Sequence, residues 1–471
     1  VGILQGKPPS GPFVYSSALY RYFILPFYAV GADRTGLFAF QSILGVLTAW
    51  LIFRTARLAG AGLPSSVIAS VAWCLYAPAA FVEFTILPVS MMALLLTLFS
   101  LLQLRGSENK VSSRGSCLLQ GLIPGILTGL RPPYLFLFSL PVWGWVKKRD
   151  WRSILIASAA LAVPLLFLSW QQMESGGGFY PFPRATGLNL VLGHSADATG
   201  YGPPILSLGL IEDGRRDIHE VGMQLAAEQG AVTPAEADAY WTGIAMEHIR
   251  SEPERELELL GIKYAGFFGI RPFDTYYEFC RTGSFNSLLR LFITPRWLIS
   301  GLFLLSILPF LFRGRNRLAV LLPVGITLAT CLLVVHSERY FLPVLPLILI
   351  STVLGMKCLL ELFREMFLKG LVFVLVGLFL LLPLLFFPVP LLPESHYIGS
   401  LAVRAYNMGN YELSLELFER QAVLAPPGTV SWVRAHEESA RIARALGMRD
   451  KVVEHEELIE PYISDLNGGL R

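Results

Sequence analysis

The sequence predicts an all-α polytopic membrane protein, and three observations carry that expectation. Of 471 residues, 54% are hydrophobic and only 15% charged, well short of the roughly 25% charged that soluble domains carry. The apolar residues come in blocks of spanning length, since a helix rising about 1.5 Å per residue needs roughly 20 residues to cross about 30 Å of hydrocarbon. Basic residues gather in alternate connections between those blocks, as short cytoplasmic loops require.

Ten blocks can be read, at about 36–53, 65–82, 87–104, 117–131, 132–146, 152–172, 291–312, 318–336, 340–357 and 370–388. The fourth and fifth are short enough for a tilted or re-entrant hairpin. Arg54 and Arg57, then Arg105, Lys110 and Arg114, then Lys147, Lys148, Arg149 and Arg152, then Arg313, Arg315 and Arg317, then Lys357, Arg364 and Lys369 occupy alternate connections. The positive-inside rule puts all of them in the cytoplasm. Segments 1–35, 173–290 and 391–471 then share the trans side, which is the periplasm of a bacterium or the lumen of a eukaryote. The domain order is a tail of an outer loop (1–35), membrane helices (36–172), a trans-side mixed loop domain (173–290), further membrane helices (291–390) and a helical-repeat segment (391–471). The net charge of +3 restates the basic loops and gives no ground for a nucleic-acid partner.

Four of the five cysteines, Cys74, Cys117, Cys331 and Cys358, lie in or beside apolar spans, and Cys280 alone is on the trans side. No disulfide framework or metal-ligand spacing follows from them. The chain begins at Val1 in a polar Gly/Pro stretch already on the trans side, so a further span is expected upstream.

The aromatics Tyr15, Tyr20, Tyr22, Phe23, Phe27 and Tyr28 read as an interfacial belt or as one wall of a lipid-substrate cleft. In the loop domain, Thr233-Pro234-Ala235-Glu236 is a capping box with Pro at the first helical position. Ser251-Glu252-Pro253-Glu254 repeats the device, so helices are expected from about 234 to 250 and 252 to 268. Phe267, Phe268, Phe273, Tyr276, Tyr277 and Phe279 then suit a membrane surface. Beyond 395, Gly409, Tyr411, Ser414, Phe418 and Pro426 sit at the offsets of a tetratricopeptide repeat of about 34 residues, with 430–465 as a second helix pair. A plain amphipathic hairpin would also fit. A repeat platform would offer a surface to a protein partner.

Ionisable residues at membrane depth are costly and mark functional candidates. Glu83, at the trans end of a span, could act as a base or orient a hydroxyl nucleophile; an ordinary loop charge is the plainer reading. Arg131, before Pro132-Pro133, could grip a phosphate through two parallel hydrogen bonds, or snorkel to the interface. His336-Ser337-Glu338-Arg339-Tyr340 forms a short trans-side hairpin, in which Glu338 could simply neutralise Arg339. Residues 187–204 join a short apolar run to a Gly-punctuated polar loop, with Asn189, Gly193 and Asp197 as its polar and glycine landmarks.

These features, in order, resemble the C-type glycosyltransferase superfamily, specifically bacterial relatives of the dolichyl-phosphate-mannose–protein mannosyltransferases. The likeness runs over almost all of residues 1–350. Tyr15-Ser16-Ser17-Ala18-Leu19-Tyr20 resembles the family's Pro-Leu-Tyr segment, and Gln41-Ser42-Ile43-Leu44-Gly45 its next helix. Gly125 to Pro132 resembles its Gly-rich segment closing on Arg-Pro. Asn189-Leu190-Val191-Leu192-Gly193 through Asp197-Ala198-Thr199-Gly200-Tyr201 resembles its Asn-x-x-x-Gly…Asp-x-x-Gly loop. Arg339-Tyr340 with Pro343 and Pro346 resembles its late Arg-Tyr helix.

The resemblance implies a glycosyltransferase of the cell envelope, in the bacterial inner membrane, of the kind that serves protein glycosylation. It would move a sugar from a polyprenyl phosphate to a lipid, glycan or protein acceptor. The substrates it implies are membrane lipids: a lipid-linked donor reached from within the bilayer. No cofactor or metal is needed if Arg131, Arg339 and Lys263 stabilise the leaving phosphate, with Tyr340, Asn189, Gly193 and Asp197 lining the substrate and Glu83 as the catalytic carboxylate. The family's principal Asp lies in its first outer loop, which falls before Val1; Asp33 is too far along to replace it. Relatives also carry a second acid just after the Glu83 position, where this chain has Leu87-Pro88-Val89. A transporter or flippase, or an O-antigen polymerase or ligase, would share the many spans and the large outer loop.

Overall fold

The computed structural model describes residues 18–31, 34–108, 113–176, 178–201, 208, 218–269, 271–272, 296–314, 316–387, 394–407, 409–427 and 430–468. The described residues are 84% helical and hold no strand. Tyr15, Asp33, Lys110, Phe273, Tyr276, Tyr277, Phe279, Cys280 and Arg315 lie outside the described residues.

The first half of the bundle comprises α1 (Ala18–Ala29), α2 (Arg34–Leu58), α3 (Leu63–Leu75), α4 (Ala77–Glu83), α5 (Val89–Glu108), α6 (Arg114–Leu130), α7 (Ser139–Lys148) and α8 (Trp151–Glu174). A 3-10 turn, Pro132–Phe138, stands between α6 and α7. The intervening segment supplies α9 (Thr186–His194), α10 (Ile218–Glu228), α11 (Pro234–Ser251) and α12 (Pro253–Phe268). The second half comprises α13 (Arg296–Arg313), α14 (Arg317–Leu333), α15 (Glu338–Phe341), α16 (Leu345–Glu365), α17 (Phe367–Leu381) and α18 (Pro383–Phe386).

Among the described residues, six helical stretches are long and apolar enough to cross a membrane, or seven if α3 and α4, bent by 56° at Tyr76, make one broken span. They leave large apolar side chains bare, among them Val46, Trp50, Leu155, Val163, Phe379 and Leu385. Water would not tolerate so continuous an apolar surface, but hydrocarbon does. The chain is an integral membrane protein. Three of the ten blocks fall short of that length: 117–131 and 318–336 become α6 and α14, of 17 residues each, and 132–146 becomes the 3-10 turn followed by the 10-residue α7. Pro132 and Pro133 impose this break, because neither can donate the backbone hydrogen bond a continuing helix needs. Inside the bundle, α6 lies along α8 with glycines at the contact: a Cβ on Gly121 would strike the Ala157 backbone, and one on Gly125 the Pro164 ring. Small residues allow this close approach where lipid supplies no hydrophobic drive for helices to pair.

In the mixed loop domain expected over 173–290, the regular elements among the described residues are all helices, joined by turns and bends. Thr233 and Glu236 form the reciprocal capping box at the start of α11. The second box does not form: Ser251 remains the last residue of α11, Glu252 takes the N-cap of α12, and no side chain caps it. With Pro253 already at the first helical position, one residue of link leaves Ser251 inside the preceding helix. Its hydroxyl bonds instead to the His248 carbonyl. Leu188, Val191, Leu192, Ala237, Trp241 and Leu259 pack between these helices. Phe267 and Phe268 do not face a membrane surface; both are buried, Phe267 against Phe341 and Phe268 stacked on Phe303. Their burial follows from their place at the end of α12, which docks on the bundle. Tyr20, Tyr22 and Phe23 likewise pack inward, on Gln41, Phe167 and Phe40.

Residues 390–471 belong to a separate compact unit, with α19 (Glu394–Asn407), α20 (Tyr411–Leu424), α21 (Val430–Ala445) and α22 (Arg449–Gly468). Gly409 makes the first turn at φ +78°, where a side chain would be strained. Asn410 caps α20 through Leu413 N. The Ser414 hydroxyl bonds to the Ala402 carbonyl at 2.8 Å, and Phe418 joins Ala402, Leu415, Ile442 and Ala443 in the core. Two consecutive helix pairs result.

Candidate functional site

Three separate stretches meet at one junction: the end of α6, the end of α12 and the link from α14 through α15. The junction starts from Arg131, which caps α6 in an extended conformation (φ −151°). Its side chain is thereby carried off the helix axis. The guanidinium lies 3.9 Å from the centroid of the Tyr340 ring, and Nη2 donates to the Arg339 carbonyl at 2.6 Å. Nη1 is buried, and the Tyr134 hydroxyl interacts with the Arg131 side chain. Arg339 donates from its backbone N and from Nε to the Ser337 hydroxyl, at 3.4 and 3.3 Å. Arg131, Arg339 and Tyr340, three of the residues singled out in the sequence, are therefore one contact group.

Glu338 does not neutralise Arg339. It is fully buried and pairs with Arg296, while Tyr76 donates its hydroxyl to Glu338 Oε1 at 3.1 Å. Arg296, also buried, donates through Nη2 to the Phe267 carbonyl at 2.6 Å and the Gly266 carbonyl at 3.2 Å, two of the last carbonyls of α12 that no helical donor reaches. Its guanidinium lies over Phe341. A buried guanidinium needs both a counter-charge and several acceptors to hold its place, and this one has them. Consecutive residues thus divide: Glu338 turns into the bundle, and Arg339 stands at the Arg131 side.

Lys263 is fully buried. Its ammonium meets His194 Nε2 at 3.1 Å and the Leu332 carbonyl at 3.1 Å. Burial pushes its pKa down from 10.5 to about 8, with Glu256 acting against that shift. His194 in turn meets Glu256 through Nδ1 at 2.6 Å and the Leu333 carbonyl through Nε2 at 2.9 Å. Arg131, Arg296 and Lys263 all lie within electrostatic reach of the buried Cys331. His336, between Tyr201 and Phe267, is held well below the ordinary imidazole range by burial and then by Arg296.

The 187–201 stretch is built for close approach. A Cβ on Gly187 would strike the Asp238 carbonyl, one on Gly193 the Val334 carbonyl, and one on Gly266 the His336 ring. Gly200 turns at φ +79° and its carbonyl accepts from His336 N at 2.9 Å. Gly193 is thus a contact between backbones. Asn189 is half-buried on α9 and Asp197 half-buried in the turn that follows. Glu83 ends α4; its carboxylate crowds Gly45 and reaches Ser42, both on α2. Gln41 bonds to the Glu83 and Thr85 carbonyls, both at 2.8 Å. The contacts described for Glu83 lead to α2 and not to Arg131 or Arg339.

Sequence reasoning missed Arg296, Tyr76, His194 and Glu256. Arg296 had a signal, as a charge at the head of an apolar span. The others had none, because their importance lies in partners far along the chain. No protein-family model matches the sequence, and no curated protein or solved structure matches it. What the fold defines is an all-helical integral membrane protein; the junction adds buried charges gathered where its helices end.

Proposed function

We propose that this protein is a glycosyltransferase of the cell envelope, moving a sugar from a polyprenyl-phosphate donor to a lipid, glycan or protein acceptor on the periplasmic face of a bacterial inner membrane. The observation that carries the reading is the Arg131–Tyr340–Arg339 junction. Two arginines meet there, the adjacent carboxylate Glu338 is engaged by Arg296, and Arg131 brings a guanidinium whose Nη1 is buried. Such a place favours a phosphate, which accepts two parallel hydrogen bonds from a guanidinium. Charge developing on a leaving phosphate would be stabilised by groups already held in position. Glu83 is the carboxylate we assign to orienting the acceptor, and the C-terminal helix pairs would serve as a tetratricopeptide-like platform for a protein partner.

The test is transfer from polyprenyl-phosphate sugar by the full-length protein in lipid nanodiscs. Arg131→Lys keeps the charge but loses the planar grip, so transfer should slow about ten- to a hundredfold, as loss of a charge-assisted hydrogen bond of roughly 1.5–3 kcal/mol implies. Tyr340→Phe should be tolerated and Tyr340→Leu should not. A folded Arg131→Lys protein with unchanged rate and donor affinity would overturn the assignment. One observation favours a second reading: the break between α3 and α4 is a discontinuous helix of the kind transporters use. Donor movement across proteoliposomes without sugar transfer would favour it.

A further inference from the structure

The group formed by His194, Lys263 and Glu256 has a proton count that its geometry restricts. Glu256 Oε2 lies 2.6 Å from His194 Nδ1, so Nδ1 carries a proton and donates. Nε2 stands 2.9 Å from the Leu333 carbonyl, which only accepts, and 3.1 Å from Lys263 Nζ. Nζ in turn faces the Leu332 carbonyl at 3.1 Å. If Nε2 is protonated it donates to Leu333, and Lys263 must be the neutral amine that turns a lone pair toward it. If Lys263 is the ammonium, Nε2 must be bare to accept from it. An imidazolium and an ammonium together would set two donors against each other with no solvent between them, His194 being 5% exposed and Lys263 not exposed at all.

The surrounding charges agree with a single proton. Glu256 is the carboxylate in the network and balances one positive charge. Among the described residues, the ionisable group identified beside Lys263 other than Glu256 is the Cys331 thiol of α14, which Arg131 and Arg296 also reach. Arg255, also of α12, is engaged with Glu258 and the Ala198 carbonyl. His336 of the link packs on Gly266. None of them compensates a second proton.

We propose that His194 and Lys263 form a proton-sharing site that holds one proton between them, and that a second proton, taken up in acid, releases the end of α14 and the link to Arg339. The released carbonyls, Leu332 and Leu333, belong to the last turn of α14, which has no helical donors of its own. Val334 to Ser337 follow directly, and Arg339 and Tyr340 follow those. The consequence for donor binding rests on the function proposed above; the proton site itself does not.

Opening frees both groups to water, where each takes its own proton, so the open form binds more protons in acid and is favoured as pH falls. Hydrogen exchange by mass spectrometry on the full-length protein in nanodiscs, corrected for the intrinsic pH dependence of amide exchange, reads this directly and needs no sugar. Peptides covering 331–341 should lose protection between pH 7.5 and 5.5, by up to about tenfold per pH unit where the second proton binds. Lys263→Met removes the competing cation and leaves a His194 that Glu256 can balance, so the acid loss should vanish. Glu256→Gln removes the counter-charge and should move the loss to higher pH. Equal protection of wild-type 331–341 at both pH values would overturn the proposal, as would an acid loss that survives unchanged in Lys263→Met. Failure of sugar transfer with this pH response intact would count against the proposed function alone.

Discussion

Glu338 and Arg296 are both fully buried and form an ion pair, although they belong to different spans and Glu338 has Arg339 as its chain neighbour. Arg296 holds the end of α12 through two carbonyls, and Glu338 receives the Tyr76 hydroxyl. One pair therefore ties the broken span, the intervening helices and the arginine corner together.

Removing either charge strands the other. Glu338→Gln or Arg296→Met alone should destabilise the protein by about 3–5 kcal/mol, the range for breaking a buried pair from one side. The double variant should recover part of that loss. Thermal unfolding in detergent or nanodiscs measures both, and a double variant no better than the worse single one would show the pair to be less coupled than its geometry states.

Gly193 sets the distance between α9 and the end of α14. Gly193→Ala places a methyl carbon against the Val334 carbonyl, and backbone cannot yield as a flexible side chain does, so a loss of about 1–3 kcal/mol is expected. Gly144, on α7, has open space where a Cβ would go. Gly144→Ala should be neutral or stabilising by about 0.5–1 kcal/mol. The two melting curves side by side separate close approach from helix propensity.

Lys263 also predicts an alkaline effect. Its folded pKa of about 8 lies below the ordinary 10.5, so between those values the unfolded chain binds more protons than the folded one. The contribution of Lys263 to stability then rises with pH across that window and is smallest below pH 8. Melting temperatures of wild type should gain over those of Lys263→Met from pH 8 to 10. A constant difference between the two proteins would contradict the shift.

Sidedness is checked by cysteine labelling on a cysteine-free background. Gln229, in the segment between the two halves of the bundle, and Arg149, in a basic connection, are both exposed. Gln229→Cys should label only from the trans side and Arg149→Cys only from the cytoplasm. Labelling of both from one side would reject the orientation read from loop charge.

The spans were legible because crossing hydrocarbon demands long apolar runs whatever their neighbours are. The start of α11 was legible because Thr233, Pro234 and Glu236 act within one turn. The start of α12 was misread by one residue, because whether Ser251 caps a new helix or ends the old one depends on the length of the link. Arg131, Arg339 and Tyr340 were picked out as charges and aromatics at helix ends, and they meet. Lys263 was picked out for its charge, yet that charge is spent on His194 and Leu332. The partner of Glu338 was beyond reach, since Tyr76 lies 262 residues away. Backbone contacts such as that of Gly193 leave no trace in composition, because a glycine that packs and a glycine that turns read alike.

Tyr76 ends α3 and begins α4, and its hydroxyl is tied to Glu338. That makes it a fulcrum. The seven residues of α4 form a lever arm of about 10 Å at a rise of 1.5 Å per residue, with Glu83 at the far end and the arginine corner anchored beside the pivot. A swing of about 10° would carry Glu83 through roughly 2 Å on that arm while hardly moving Arg339. In the structure that tip rests on Gly45 and Ser42 of α2, so the broken span sets a carboxylate at one end of its arm and a stationary guanidinium corner at the other.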